Sequence, residues 1–298
     1  MSKNTILRLL VFFIGIPLLA VSAFFGRHQG LPIFGALVIA ASALAAHEAA
    51  FFFAPSTRDY PGARVIIPVL GAAVPSVGYL SSLFSGSEVL AGLGASALVV
   101  PTITLGVAVI LAVQVLRRTA GEISHIVQVV SAHLFLLLYP GLFTWHAARL
   151  VSLEANSELI LVFLLSVYLN DSMAWLFGRL FGHHEQTHRT GPAVAVSPNK
   201  SWTGFVAGFL ASIAVVVLTG RLWPTILPGP TVLHLLLGAT VGLSAITGDL
   251  VESGLKRSAA VKDSGQLIPG RGGLLDSIDS ALFTAPFFYY GVVILYAL

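Results

Sequence analysis

There is no cysteine in the 298 residues, so disulfide staples, thiolate nucleophiles and cysteine-ligated zinc are all excluded. Charge is scarce as well: Asp, Glu, Lys and Arg together make up 10% of the chain, whereas 56% is hydrophobic. A typical soluble domain carries about 25% charged residues, so a chain this oily is not surrounded by water. Basic patches interleaved with aromatics, the footprint of nucleic-acid binding, are lacking. The formal net charge of +3 reads instead as a bias toward a membrane surface. Internal repeats and low-complexity tracts are missing too, so nothing marks off a separate soluble domain.

What the chain has is a series of apolar runs near the ~20 residues needed to cross a bilayer. They fall at Ile6–Phe25, Leu31–Ala54, Val65–Leu83, Val89–Val115, Ile126–Trp145, Leu159–Phe177, Gly204–Leu222, Val232–Asp249 and Ser280–Leu298. The expectation is an all-α polytopic membrane protein of about nine transmembrane helices, forming one integral-membrane domain over 1–298. Its N-terminal helices occupy 1–150, and its catalytic helices and loops 159–298. The first run shares features with a secretory leader: Lys3 and Arg8 precede it, and Val21-Ser22-Ala23 resembles a cleavage site. Apolar character continues to Phe25 and eight further runs follow, so a retained helix is expected.

Cations set the orientation. With the N-terminus in the cytoplasm, the inside segments hold Lys3, Arg8, Arg58, Arg64, Arg117, Arg118, Arg179, Arg189, Lys200, Lys256, Arg257, Lys262 and Arg271, and the outside loops only Arg27, Arg149 and Arg221. Thirteen against three is a strong positive-inside bias. It implies an inner-membrane protein with its N-terminus inside, its C-terminus outside, and its two long connections, Gly178–Thr203 and Val251–Asp279, on the cytoplasmic face.

The 31 residues from Asp249 to Asp279 contain five of the thirteen acidic residues and four of the sixteen basic ones. Charge at a membrane boundary is costly, so this concentration marks a functional site. Asp249, Glu252 and Lys256 share a helix face by their i, i+3, i+7 spacing, and Asp276 and Asp279 repeat the i, i+3 step. Mg²⁺ takes one or two protein carboxylates and completes its octahedron with water and phosphate oxygens, so two such pairs suit two divalent ions. Lys256, Arg257 and Lys262 offer charge to phosphate oxygens, and the turn Pro269-Gly270-Arg271-Gly272-Gly273 offers backbone N–H groups to an anion. Glu48 and Asp171 also sit near helix ends on the cytoplasmic side, which suggests a polar active-site cavity facing the cytoplasm; Glu48 is equally consistent with a structural role. In the other connection, Ser201 suits the N-cap of the next helix. His183, His184 and His188 read as solvated loop residues, and Gly204 and Gly208 as a helix-packing pair.

These residues resemble the phosphatidate cytidylyltransferases, or CDP-diacylglycerol synthases. The C-terminal signature is matched by Ser253, Lys256-Arg257, Lys262-Asp263, Pro269-Gly270, Gly272-Gly273, Asp276 and Asp279, preceded by Gly248-Asp249-Leu250 and Glu252. A middle motif is matched by Asp171-Ser172, Ala174, Gly178-Arg179, Gly182, Ser197-Pro198, Lys200-Ser201 and Gly204. The match covers roughly Asn170 to Ser280, and the first five spans agree only in hydrophobicity. Three positions depart from the pattern: Arg271 stands for His, Ser277 for Arg and Thr203 for Glu.

The resemblance implies transfer of a cytidylyl group from CTP to phosphatidate, with Mg²⁺ as cofactor and the bilayer as environment. Asp249 and Asp279 would bind metal, supported by Asp276 and Glu252. Lys256, Arg257 and Lys262 would hold phosphates. Ser197 and Ser253 would donate hydrogen bonds, Lys200 would steer anionic substrate, and Ser201, Arg271, Gly272 and Gly273 would contact it. A homodimer stays open, and no nucleic-acid partner is expected. The alternatives are a CTP-using enzyme acting on another lipid phosphate or a polyprenol, and a catalytically impaired homologue. An ion-coupled transporter fits poorly, because the two halves show no inverted repeat and the first half holds almost no intramembrane charge.

Overall fold

A computed structural model of the chain describes residues 16–83, 97–117, 120–188, 194, 196–198, 200–268, 270 and 272–297. Its helices are α1 (Ile16–Ser22), α2 (Pro32–Ala49), α3 (Ala63–Leu83), α4 (Val99–Arg117), α5 (Ile126–Leu136), α6 (Phe143–Arg149), α7 (Asn156–His188), α8 (Trp202–Leu222), α9 (Thr231–Ser258) and α10 (Leu275–Tyr296). No strand forms among the described residues, and the fold is all-α, as the apolar runs require. Among the described residues, eight stretches are long and apolar enough to cross a bilayer: Pro32–Phe52, Ala63–Leu83, Val99–Leu116, Ile123–Ser152, Asn156–Phe181, Trp202–Leu222, Thr231–Ser258 and Leu275–Tyr296. They correspond to the second through ninth expected runs. The first half of the first run, residues 6–15, lies outside the described residues.

The chain packs into two compact units interleaved in sequence: Met1–Ser152 with Val261–Ser277, and Leu153–Ala260 with Ile278–Leu298. In the first, α2 packs on α3, and the stretch Ile123–Ser152 carries Pro140 in its middle. Proline has no N–H and its ring clashes with the carbonyl four residues back, so the helix widens to a π-helical turn over Leu137–Leu142. Hydroxyls serve the loosened carbonyls: Thr144 Oγ1 donates to Pro140 O at 2.6 Å, and Ser42 Oγ reaches the same oxygen at 3.0 Å. Arg149, read from sequence as a loop residue, is instead 2% exposed at the end of α6, where it donates to Ser81 and Ser82 Oγ and lies over the Trp145 ring. The apolar count had ended that span at Trp145, but backbone hydrogen bonding carries the helix on.

In the second unit α8 packs closely on α7. Gly204 and Gly208 allow this, since a Cβ on either would fall within 2.8 Å of the backbone oxygens of Ala174 or Asn170. Asn170 Nδ2 then donates to Ser212 Oγ, which donates to Ser166 O, so the polar groups in this seam are satisfied. Two helices overrun their apolar runs: α7 continues to His188 and α9 to Ser258. The expected long connections are therefore partly helical. Charge ends a membrane span; it does not end a helix whose backbone bonds persist into water.

Candidate active site

The second unit collects the acidic residues. On α9, Asp249 and Glu252 stand one turn apart, and Lys256 follows a turn later. Glu252 is wholly buried and pairs with Lys256; Asp249 is about a third exposed and pairs with Lys200 of the loop before α8. Gly248 lets α10 approach at this level, since a Cβ there would meet Asp279 O at 2.9 Å and Ser280 Cα at 3.2 Å. Any larger residue would push Asp279 away from Asp249.

Asp279 is the most telling member. Its carboxylate is 7% exposed and lies in the field of Asp249, Glu252 and Asp171. Among the described residues it accepts one hydrogen bond, from the Ser280 N–H at 2.7 Å, and it has no ion-pair partner. The Ser280 hydroxyl in turn donates to Asp171 Oδ1 at 3.2 Å, which ties the α7 carboxylate to the same place. Asp171 was read from sequence as part of a polar cavity without a metal role; its link to Asp279 runs through Ser280, a residue with no distinctive sequence signal.

A cavity of about 420 Å³ opens beside this group, lined by Asn170, Asp171, Arg179, Lys200, Ser201 and Asp249 among others. That volume is in the usual range for small-molecule sites. Ser201 Oγ accepts the Gly204 N–H and N-caps α8, so a helix N-terminus borders the cavity. Thr203, one of the departures, turns its hydroxyl to Ser201 Oγ at 3.2 Å. Ser197 is half-buried, and its carbonyl accepts the Lys200 N–H. Ser253 is buried on α9, and Arg257 is exposed in its last turn. The side chains of His183, His184 and His188 lie outside the described residues.

Other expected site residues belong to the first unit. Lys262 is exposed. The glycine turn, expected to cradle a substrate anion, has its N–H groups engaged within the chain: Gly272 N–H donates to Ile268 O and Gly273 N–H to Asp276 Oδ2. That Asp276 oxygen also accepts from the Ser264 N–H and hydroxyl, at 2.8 and 2.9 Å, so the carboxylate expected to support a metal organises this turn. Ser277 closes the same turn, its N–H donating to Leu274 O. Pro269 and Arg271 lie outside the described residues. No group of three or more His, Asp or Glu side chains forms a ready metal cage among the described residues.

Membrane-spanning helices that bring four carboxylates and two lysines to one level define a class: an integral-membrane enzyme handling phosphate esters. The chain matches the Cytidylyltransferase family over residues 6–295 and belongs to it. It is 31% identical over 278 residues to a phosphatidate cytidylyltransferase of Mycobacterium bovis, covering 91% of this chain and 82% of that one. A phosphatidate cytidylyltransferase of Staphylococcus epidermidis is 43% identical over 142 residues, 45% of this chain and 49% of that one. The uncharacterized protein YnbB of Escherichia coli K12 is 38% identical over 150 residues, and the chain spans about half (47%) of its length.

Proposed function

We infer that this protein transfers the cytidylyl group of CTP to phosphatidate, giving CDP-diacylglycerol and pyrophosphate. Family membership supports the reaction type, and the relatives named for this activity support the substrate. The observation that carries the site is Asp279: a buried carboxylate among three others, with no cation partner among the described residues. Carboxylates so gathered need positive charge nearby.

The donor set is hard oxygen, which fits Mg²⁺, an ion content with one or two protein carboxylates. Asp249 and Asp279 would hold it, with Asp171 and Glu252 supporting. Mg²⁺ held there would supply positive charge to offset that of the CTP phosphates and the departing pyrophosphate. A second ion at Asp276 would require that carboxylate to exchange its present donors. Lys200, at the cavity edge, is placed to draw an anionic substrate and can pass from Asp249 to a phosphate as substrate enters. Lys256 holds Glu252, and Arg257 and Lys262 offer charge at the surface. An oxygen of the lipid phosphate attacks the α-phosphorus of CTP in line; the bond from that phosphorus to the β-phosphate oxygen breaks, and pyrophosphate leaves. The lipid phosphate is already ionised near neutral pH, so no protein nucleophile is needed. The cation bias supports a site that faces the cytoplasm from an inner membrane.

The direct test incubates purified protein with phosphatidate, radiolabelled CTP and Mg²⁺ and separates the lipids. Labelled CDP-lipid is expected. Label appearing only with another lipid phosphate or a polyprenyl phosphate would reassign the acceptor, and no label with any acceptor would mark an impaired homologue.

A further inference from the structure

The start of α10 cannot cap itself. Its N-cap position is Leu274, which has no side-chain acceptor for the exposed N–H groups of the first turn. The acceptor comes from α2, 226 residues earlier in the chain. Glu48 Oε1 accepts the Leu274 N–H at 2.9 Å and Oε2 accepts the Leu275 N–H at 2.8 Å, while the single proton of the Ser264 hydroxyl is shared between Oε2, at 3.0 Å, and Asp276 Oδ2, at 2.9 Å. Ser264 Oγ in turn accepts the Asp276 N–H at 3.3 Å. The first three donors of the helix thus go to one carboxylate and one serine.

Glu48 is in an otherwise unfavourable place. It is 7% exposed and lies in the last turn of α2, where the negative end of the helix dipole opposes a carboxylate. The positive end of α10 and three hydrogen bonds reverse that balance. The loop is shaped around it: a Cβ on Gly265 would come within 2.7 Å of Glu48 Oε1, and one on Gly273 would overlap Glu48 Oε2 and Ser264 Oγ. Gly273 is therefore required to admit this carboxylate.

We propose that Glu48 is a positioning residue for the reaction: its carboxylate caps α10 from a distant helix and fixes the register of the turn that carries Asp279. The role in catalysis rests on the function proposed above. Asp279 lies one helical turn beyond Leu275, so a frayed or shifted first turn displaces its carboxylate directly. Glutamine is a poor substitute, because its NH₂ group would face the N–H of Leu274 or Leu275. Aspartate keeps both oxygens and the charge on a shorter arm.

The test compares full-length wild type with Glu48→Ala, Glu48→Gln and Glu48→Asp in lipid nanodiscs. Hydrogen exchange at the amides of 274–276 reads the cap, and the Mg²⁺ concentration giving half-maximal thermal stabilisation reads Asp279 without turnover. Glu48→Ala and Glu48→Gln are expected to lose protection confined to 274–276 and to need about tenfold more Mg²⁺, the usual scale for losing a residue that orients a metal ligand. In turnover they should lose kcat with KM for phosphatidate little changed, and Glu48→Asp should recover part of each loss. Unchanged exchange in Glu48→Ala, a wild-type Mg²⁺ midpoint despite lost protection, or deprotection spread over the whole chain would each overturn the proposal. If wild type makes no CDP-lipid, the proposed function fails, while exchange and the Mg²⁺ midpoint still decide the role of Glu48.

Discussion

Lys200 and Asp249 pair across 49 residues of chain, joining the loop before α8 to α9 at the edge of the cavity. An ammonium on a carboxylate assigned to a metal is a competitor of that metal, and a substrate phosphate gives it somewhere else to go. Lys200→Ala should therefore raise KM for CTP about tenfold or more, the cost of losing a charge-assisted hydrogen bond. The Mg²⁺ requirement should stay the same or fall. Steady-state kinetics at varied Mg²⁺ checks this. A higher Mg²⁺ requirement with KM for CTP unchanged would mean that Lys200 only orients Asp249.

Asp279→Asn should abolish turnover and leave the protein at least as stable. The amide is nearly isosteric, and it removes one of four mutually repelling carboxylates, so the thermal midpoint should hold or rise. Asp249→Asn should be equally inactive, with a smaller gain because Lys200 then loses its partner. Retention of more than about a tenth of wild-type activity in either variant, a loss below roughly 1.4 kcal/mol, would remove that residue from the metal site.

Glu252 has a different liability. It is wholly buried and paired with Lys256, so removing one partner strands the other charge. Glu252→Ala should destabilise the protein by about 3 kcal/mol, more than Asp279→Asn, and Glu252→Ala combined with Lys256→Met should recover much of it. Denaturation of the single and double variants gives the coupling. Additive losses would show that the pair is not energetically linked.

Much of this site is legible in the sequence because charge is so rare there. Against an apolar background Asp249, Glu252, Lys256 and Asp279 stand out, and helical spacing alone puts the first three on one face. Lengths of apolar runs located eight spans but did not mark helix ends, since α7 and α9 continue past their apolar runs into charged sequence. The partners of the glycine turn were not legible. A Gly-rich segment advertises free N–H groups without saying which anion takes them; here Asp276 takes one close by, and Glu48 takes the next two from a distant helix. Long-range pairing of that kind leaves no periodic trace, and Glu48 beside His47 read equally well as a structural residue.

The orientation offers the last test. Eight spans with the N-terminus inside would return the C-terminus to the cytoplasm, whereas a ninth, formed by Ile6–Phe25, places Leu298 outside. The cations favour nine. With Lys3 and Arg8 inside, the ratio of thirteen to three holds along the whole chain, and dropping the first span while keeping the later loops in place would strand Lys3 and Arg8 outside beside Arg27. A reporter fused after Leu298 that is active only outside the cytoplasm should light up, and a cytoplasm-only reporter at the same point should stay silent. The active-site helices give an internal control, because a reporter inserted after Ala260 must show cytoplasmic activity for the site to meet CTP. A cytoplasmic signal at both positions would mean that an odd number of crossings does not separate the N-terminus from Leu298, and the count of nine would be wrong.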